Sequence, residues 1–279
     1  VIPRGFEAQL LDSGGEGSAI QLIVDGSDVM SAQTAVNTAE GLAASYGQAV
    51  QLHTTLDSGL RAMDPPLDMR LRVWFNEEMK ESNYMIPSEL GFIAAAIAAM
   101  LASMVIAKER ELGTLEQLMV TPIRSSELVI GKSIMAVSLG YVLFLLMLAM
   151  VVFFFDVPMR GSLPLLMVLS FIYMLVELGW GLLISAFAKS QMQALLVTFA
   201  VIMVMIIFSG YAFPVDTMPP LMQTIANIFP LKHWLIIFRG ILLKGAGIHD
   251  FLPEMLSILV LGVIIYTFTI MALRRNKLE

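Results

Sequence analysis

Few residues in this chain have the type and spacing to do chemistry, and what is missing excludes most reactions. The 279 residues contain no cysteine, so there can be no disulfides, thiolate nucleophiles or cysteine metal sites. His53, His233 and His249 are scattered without ligand spacing, and no metal site is expected from them. Neither a G-x-x-x-x-G-K-[ST] phosphate loop nor a G-x-S-x-G nucleophile elbow occurs. No catalytic residue is assigned, and no cofactor is expected on this chain. Asp25-Gly26-Ser27-Asp28 lacks the later ligands of a calcium loop and reads as a capped turn. No basic stripe of the kind that binds nucleic acid is present.

Two features remain. Glu177 stands in the middle of an apolar run, Leu175-Val-Glu-Leu-Gly-Trp180. A carboxyl inside lipid costs about 2.5–3.5 kcal/mol on insertion scales, so it must face a helix bundle or water. It can contact substrate, carry a proton, or pack as a protonated, hydrogen-bonded group, and the sequence leaves these open. The second feature is the charged string Lys108-Glu-Arg-Glu111, followed by Leu-Gly-Thr-Leu-Glu-Gln-Leu118.

The elements that hold these residues follow from composition. The chain is 57% hydrophobic and 14% charged, against about half and one quarter in soluble domains. Residues 1–86 carry 12 of the 23 acids and 5 of the 17 bases, while the remainder is near neutral and holds nearly all the long apolar runs. A helix crossing about 30 Å of hydrocarbon needs roughly 20 apolar residues. Five segments qualify: Pro87 to Ala107, Ser133 to Phe155, Leu163 to Ala188, Ala194 to Phe213 and Glu254 to Leu273. Lys108, Arg110, Arg124, Lys132, Lys189, Arg274, Arg275 and Lys277 fall on one side, against Arg160, Lys232, Arg239 and Lys244 on the other. That bias places the 108–132 loop and the C-terminus in the cytoplasm and residues 1–86 outside. A sixth span upstream of Val1 is expected, with the chain truncated at its N-terminus.

In the outer lobe, Ile20 to Val24 reads as a strand ending at the Asp25-Gly26 turn. Val29, Ala32, Val36, Ala39, Ala43, Tyr46 and Val50 then form a helical stripe, with Ser27 or Asp28 as N-cap. After Pro65-Pro66, Leu71, Val73 and Phe75 alternate with Arg70, Arg72 and Trp74 as in a half-buried strand. The expectation is a βαβ-like lobe. Gly91, Ala95, Ala99 and Ser103 form a small-residue stripe suited to close helix packing, within the bundle or at a dimer seam. Pro219 to Phe229 and Leu231 to Leu243 read as two short outer helices, re-entrant or interfacial, with His233 and Trp234 suited to the interface.

In the loop after the first span, Gly113 punctuates the helix and Thr114-Leu-Glu-Gln117 matches a capping box. Thr121-Pro122 restarts the chain as a new helix. A short capped amphipathic helix, about 108–120, is therefore expected at the inner surface, either simply interfacial or a docking element for a cytoplasmic partner.

Several strings together resemble the permeases of type-2 ATP-binding-cassette exporters, the multidrug-export kind. They are Asn83-Tyr-Met-Ile-Pro87, Lys108 to Leu118, Thr121-Pro-Ile-Arg124, Gly131-Lys132, and Gly181-Leu-Leu-Ile-Ser-Ala-Phe-Ala188 with Gln191 and Gln193. Ser209-Gly210, Phe213-Pro214, Met218-Pro219-Pro220, Pro230-Leu231 and Arg239 to Gly247 complete the set, in order over most of the chain.

The resemblance implies a polytopic α-helical membrane protein with five spans here and six in the full length. It also implies an N-terminal extracytoplasmic α/β lobe and a second permease subunit, as homo- or heterodimer. By the family pattern Glu109, Arg110, Glu111, Gly113, Thr114, Leu115 and Glu116 form the helix that couples to a separate cytoplasmic ATPase, which binds ATP and Mg. The cargo so implied is hydrophobic or amphipathic small molecules, moved out across a bacterial inner membrane, and the outer lobe is a candidate contact for a periplasmic adaptor. Two other readings stand beside it: a proton-coupled secondary transporter centred on Glu177, and a membrane scaffold whose outer lobe binds a partner.

Overall fold

The computed structural model describes residues 18–27, 29–58, 67–114 and 125–275. These fall into two compact units, one ending at Tyr84 and the other beginning at Met85.

In the first unit, strand β1 (Ser18–Asp25) pairs in parallel with β2 (Leu67–Trp74), Leu22 opposite Leu71 and Val24 opposite Val73. Parallel neighbours need a long crossover, which helix α1 (Val29–Ser58) supplies. The predicted stripe buries Val29, Ala32 and Val36, the last two packing with Val24, whereas Tyr46 is 54% exposed. The Ser27 amide donates to Asp25 Oδ1 at 3.0 Å, forming the turn, while Asp28, the residue preceding the helix, lies outside the described residues. Phe75 stands beyond β2 rather than within it: its φ of 67° is left-handed, which ends the strand at Trp74.

The second unit is helical. Helices α2 (Glu81–Glu111), α3 (Ser125–Phe153), α4 (Leu163–Phe187), α5 (Gln191–Phe208) and α8 (Leu252–Arg275) contain the five stretches, among the described residues, long and apolar enough to cross a membrane. Between α5 and α8 lie α6 (Pro220–Ala226) and α7 (Pro230–Arg239), the latter continued by a π-turn through Lys244. This pair is bent by 85° and is apolar enough to be a broken span or a re-entrant loop. Each of its helices begins on a proline, which fits a first turn whose N–H groups have no partner.

The helix ends differ in instructive ways from the predicted spans. α2 begins before Pro87 and runs on past Ala107 to Glu111, since no breaker stands between Ala107 and Gly113. α5 stops at Phe208, five residues before the expected Phe213, where Gly210 turns the chain at φ 78°. α3 stops at Phe153, and Asp156 turns at φ 53°.

The core gathers aromatic rings contributed by α3, α4 and α7. Trp234 stacks on Tyr173 with centroids 4.7 Å apart and lies 5.3 Å from Phe238 and 6.2 Å from Phe144. Trp234 is fully buried, a core residue and not the interfacial anchor the sequence suggested. A β-carbon on Gly91 of α2 would lie 2.9 Å from Leu235 Cδ2 and 3.3 Å from the Trp234 ring, so the glycine lets α7 pack close. The small-residue stripe thus packs within the chain. A β-carbon on Gly181 of α4 would lie 2.2 Å from the Ala99 carbonyl oxygen and 2.6 Å from the Ala102 β-carbon, so α2 and α4 meet backbone to backbone.

Candidate functional site

The last turn of α2 carries Lys108, Glu109, Arg110 and Glu111, with the two bases where the helix dipole favours positive charge. The Gly113 amide still donates to the Arg110 carbonyl at 3.1 Å, but Gly113 adopts φ 70°, which stops the helix. The Thr114 hydroxyl turns back and donates to the Glu109 carboxylate, with the Glu109 carbonyl also 3.2 Å away. Lys108 to Glu111 are thus continuous with the spanning helix rather than part of a separate short one. Leu115 and Glu116 lie outside the described residues, as do Gln117, Thr121 and Pro122. Of the seven residues assigned to coupling, the structure places Glu109, Arg110, Glu111, Gly113 and Thr114 together.

What they touch could not be read from the sequence. The Arg110 guanidinium donates to the carbonyls of Ala188 at 2.5 Å and Ala186 at 2.9 Å. The last carbonyls of a helix have no donors of their own, so Arg110 closes the end of α4 with charge-assisted bonds. One turn earlier, Ser185 Oγ is buried and accepts from the backbone amides of Ile106 and Ala107, each at 3.0 Å. Glu111 Oε2 accepts from the Gln191 backbone amide at 2.8 Å and from its side chain at 3.2 Å, taking up a free amide at the start of α5. Ser190 caps the same helix by accepting from Gln193 N at 3.2 Å, and Gln193 Oε1 accepts from Lys189 N at 2.8 Å. The end of α2, the end of α4 and the start of α5 are joined by this clasp.

Glu177 lies on α4 eight residues before Ser185, about 12 Å along the helix axis. It is fully buried, and neither carboxyl oxygen has a hydrogen-bond partner among the described residues. Tyr173 and Trp180, at i−4 and i+3 on the same face, also keep a buried hydroxyl and a buried indole N–H without partners. The Tyr173 hydroxyl is near enough to interact with the carboxyl. Glu177 lines a small crevice with Phe92, Ala95 and Ala96 of α2, Ile202 and Met205 of α5, and Leu231 of α7. It is the one polar side chain among them.

Residues 1–273 match the family model for ABC-2 family transporter proteins. The chain is 33% identical over 246 residues to the Escherichia coli protein named Probable multidrug ABC transporter permease YbhS, covering 88% of this chain and 64% of that one. It is 32% identical over 231 residues to the protein named Probable multidrug ABC transporter permease YbhR, covering 82% and 60%. With the Dictyostelium discoideum ABC transporter G family member 20 it shares 26% identity over 215 residues, covering 77% and 30%. The chain therefore spans less than two thirds of the length of the curated relatives it matches. With five helices among the described residues able to span a membrane and a family match over nearly its whole length, the chain belongs to the ABC-2 family of transporter membrane proteins.

Proposed function

We propose that this chain is the permease of an ATP-driven exporter in a bacterial inner membrane. It pairs with a second permease and moves hydrophobic or amphipathic small molecules outward. ATP and Mg are bound by a separate cytoplasmic ATPase. The basic end of the bundle faces that ATPase, with residues 1–86 outside, where a periplasmic adaptor has access. The segment 108–120, with Glu109, Arg110, Glu111, Gly113, Thr114, Leu115 and Glu116, receives the force, and Glu177 lies on the cargo path.

The observation that supports this most is the clasp. A segment that only rested on the lipid surface would need no fixed bonds to distant helix ends. Here Arg110 and Glu111 tie the exit of α2 to α4 and α5 across 76 to 80 residues of sequence. A push at Gly113 and Thr114 is thereby carried into α4, the helix that bears Glu177. Two relatives are named as probable multidrug permeases, which supports the reading of this chain as an exporter of small molecules.

The test is reconstitution of the full-length permease with its ATPase, comparing wild type with Glu109→Lys and Gly113→Pro. Glu109→Lys removes the carboxylate that accepts from the Thr114 hydroxyl, and Gly113→Pro forbids the left-handed turn. Both are expected to lose co-purification of the ATPase or cargo-stimulated ATP hydrolysis. Normal values for both variants would sink the proposal.

A further inference from the structure

We infer that Arg239 and Tyr211 form an outer latch that holds shut the apolar crevice between α2, α5 and α7, and that cargo leaves when their bonds to α2 are released. The inference rests on the reading of this chain as an exporter and adds residues that position the helices for release.

The bonds lie at the end of the bundle opposite the clasp: Ser88 precedes Arg110 by 22 residues on α2, about 33 Å along a helix. At the end of α7, the Arg239 guanidinium donates to the buried Ser88 hydroxyl through Nε at 2.9 Å and Nη2 at 2.6 Å. Nη2 also donates to the Gly210 carbonyl at 3.2 Å. The Tyr211 hydroxyl donates to the Glu89 carboxylate. Thus one side chain from α7 and one from the chain after α5 close on adjacent residues of α2. The Tyr211 ring also lies 5.6 Å from the Phe92 ring. Phe92 lines the crevice with Ala95 on α2, Ile202 and Met205 on α5, and Leu231 on α7. The helices that wall the crevice are therefore the ones the latch joins.

Two features make this a joint that can part rather than a fixed brace. Each bonded site adjoins a break in regular backbone. Pro87, inside α2 and next to Ser88, has no N–H for the Asn83 carbonyl. Gly210 turns at φ 78°, and the π-turn of residues 240–244 begins directly after Arg239. Prolines and π-turns are where helices bend. The second feature is access to water. Glu89 is exposed, and Arg239 and Tyr211 are half-buried, so solvent can take over the bonds of the charged groups when the latch opens. The clasp, by contrast, is backed by Ser185, fully buried against two amides.

The experiment uses the full-length permease with its ATPase in right-side-out membrane vesicles, in a cysteine-free background. Ala95→Cys reports on the crevice. Ser103→Cys, a near-isosteric change at a fully buried position further along α2, reports on general packing. The probe is the impermeant reagent 2-(trimethylammonium)ethyl methanethiosulfonate, added outside. Without ATP, Ala95→Cys is expected to react slowly. Tyr211→Phe keeps the ring beside Phe92 and removes only the donor, while Arg239→Gln removes the guanidinium. Each is expected to raise the rate about tenfold or more, as for the loss of a charged hydrogen bond, with Ser103→Cys still unreactive. An unchanged rate in both variants, or Ser103→Cys rising in step with Ala95→Cys, overturns the latch. ATP and Mg enclosed in the vesicles are expected to raise the rate in wild type as well. If enclosed ATP leaves wild-type Ala95→Cys as protected as before while both variants expose it, the exporter reading fails and the latch stands.

Discussion

At Gly181 a hydrogen occupies the place where any other residue would set a β-carbon 2.2 Å from the Ala99 carbonyl oxygen. The obstructing atom is backbone, so a larger residue can be accommodated only by parting α2 from α4. Overpacking a close-packed seam costs about 1–3 kcal/mol. Gly181→Ala is therefore expected to destabilise the purified protein by that order, read as a lower midpoint of thermal unfolding in detergent. Gly41, on α1, has nothing within 4 Å of the equivalent position. Gly41→Ala gains helix propensity of up to about 1 kcal/mol and is expected to leave the midpoint unchanged or raise it. If the two substitutions behaved alike, the seam would not be the tight contact described. Glu177 was legible in the sequence because an acid within an apolar span is conspicuous wherever it occurs. Ser185 was not: a serine among small residues reads as packing, and only the fold shows its hydroxyl against the Ile106 and Ala107 amides.

At the scale of elements, the clasp makes a prediction that depends on the shape of a side chain. Arg110 bonds two carbonyls of one helix end through the two arms of its guanidinium. Lysine keeps the charge but is a single point with rotating donors and cannot hold both carbonyls in a fixed plane. Arg110→Lys is thus expected to transport little better than Arg110→Ala, both falling about tenfold or more below wild type at normal ATPase docking. Transport per ATP hydrolysed, measured in proteoliposomes, checks this, and full rescue by lysine would reduce Arg110 to a surface charge. Gln191→Ala is expected to cost less than Glu111→Ala and to add little on top of it, because it removes only the side-chain bond of the pair that Glu111→Ala removes. The helices joined by the clasp were largely readable, since runs of about 20 apolar residues leave few alternatives, as was the strand–helix–strand order of the lobe. The clasp was not readable. Its acceptors on α4 are backbone carbonyls, which every residue has, and they are brought to Arg110 only when α2 and α4 pack. Gln191 and Gln193 stood in the motif set with no role until the start of α5 was seen to need caps. Trp234 misled because an indole near a proline break suits a membrane surface as well as a core, and packing against Tyr173 decided it.

For the whole molecule, the decisive quantity is which end of the bundle meets the cytoplasm. The alternation of the spans puts Lys108 and Lys189 at one end, as the bonds from Arg110 and Glu111 to residues 186–191 require, and Asp156 at the other. In the orientation proposed above, the end with the excess of Lys and Arg is the cytoplasmic one. These 279 residues contain no cysteine, so a single cysteine introduced among them has no background within this stretch. Glu77, Lys108, Asp156 and Lys189 all have exposed side chains, and polar-to-cysteine changes at such positions shift stability by less than about 0.5 kcal/mol. In spheroplasts expressing the full-length protein, a membrane-impermeant maleimide is expected to label Glu77→Cys and Asp156→Cys directly. Lys108→Cys and Lys189→Cys should react only after the membrane is permeabilised. If all four were reversed, the clasp would face away from any cytoplasmic ATPase and could not receive its force. If Asp156→Cys and Lys189→Cys were labelled from the same side, α4 would not cross the membrane at all. Glu177 would then lie outside the hydrocarbon, and its place within an apolar helix could no longer argue for a position on the cargo path.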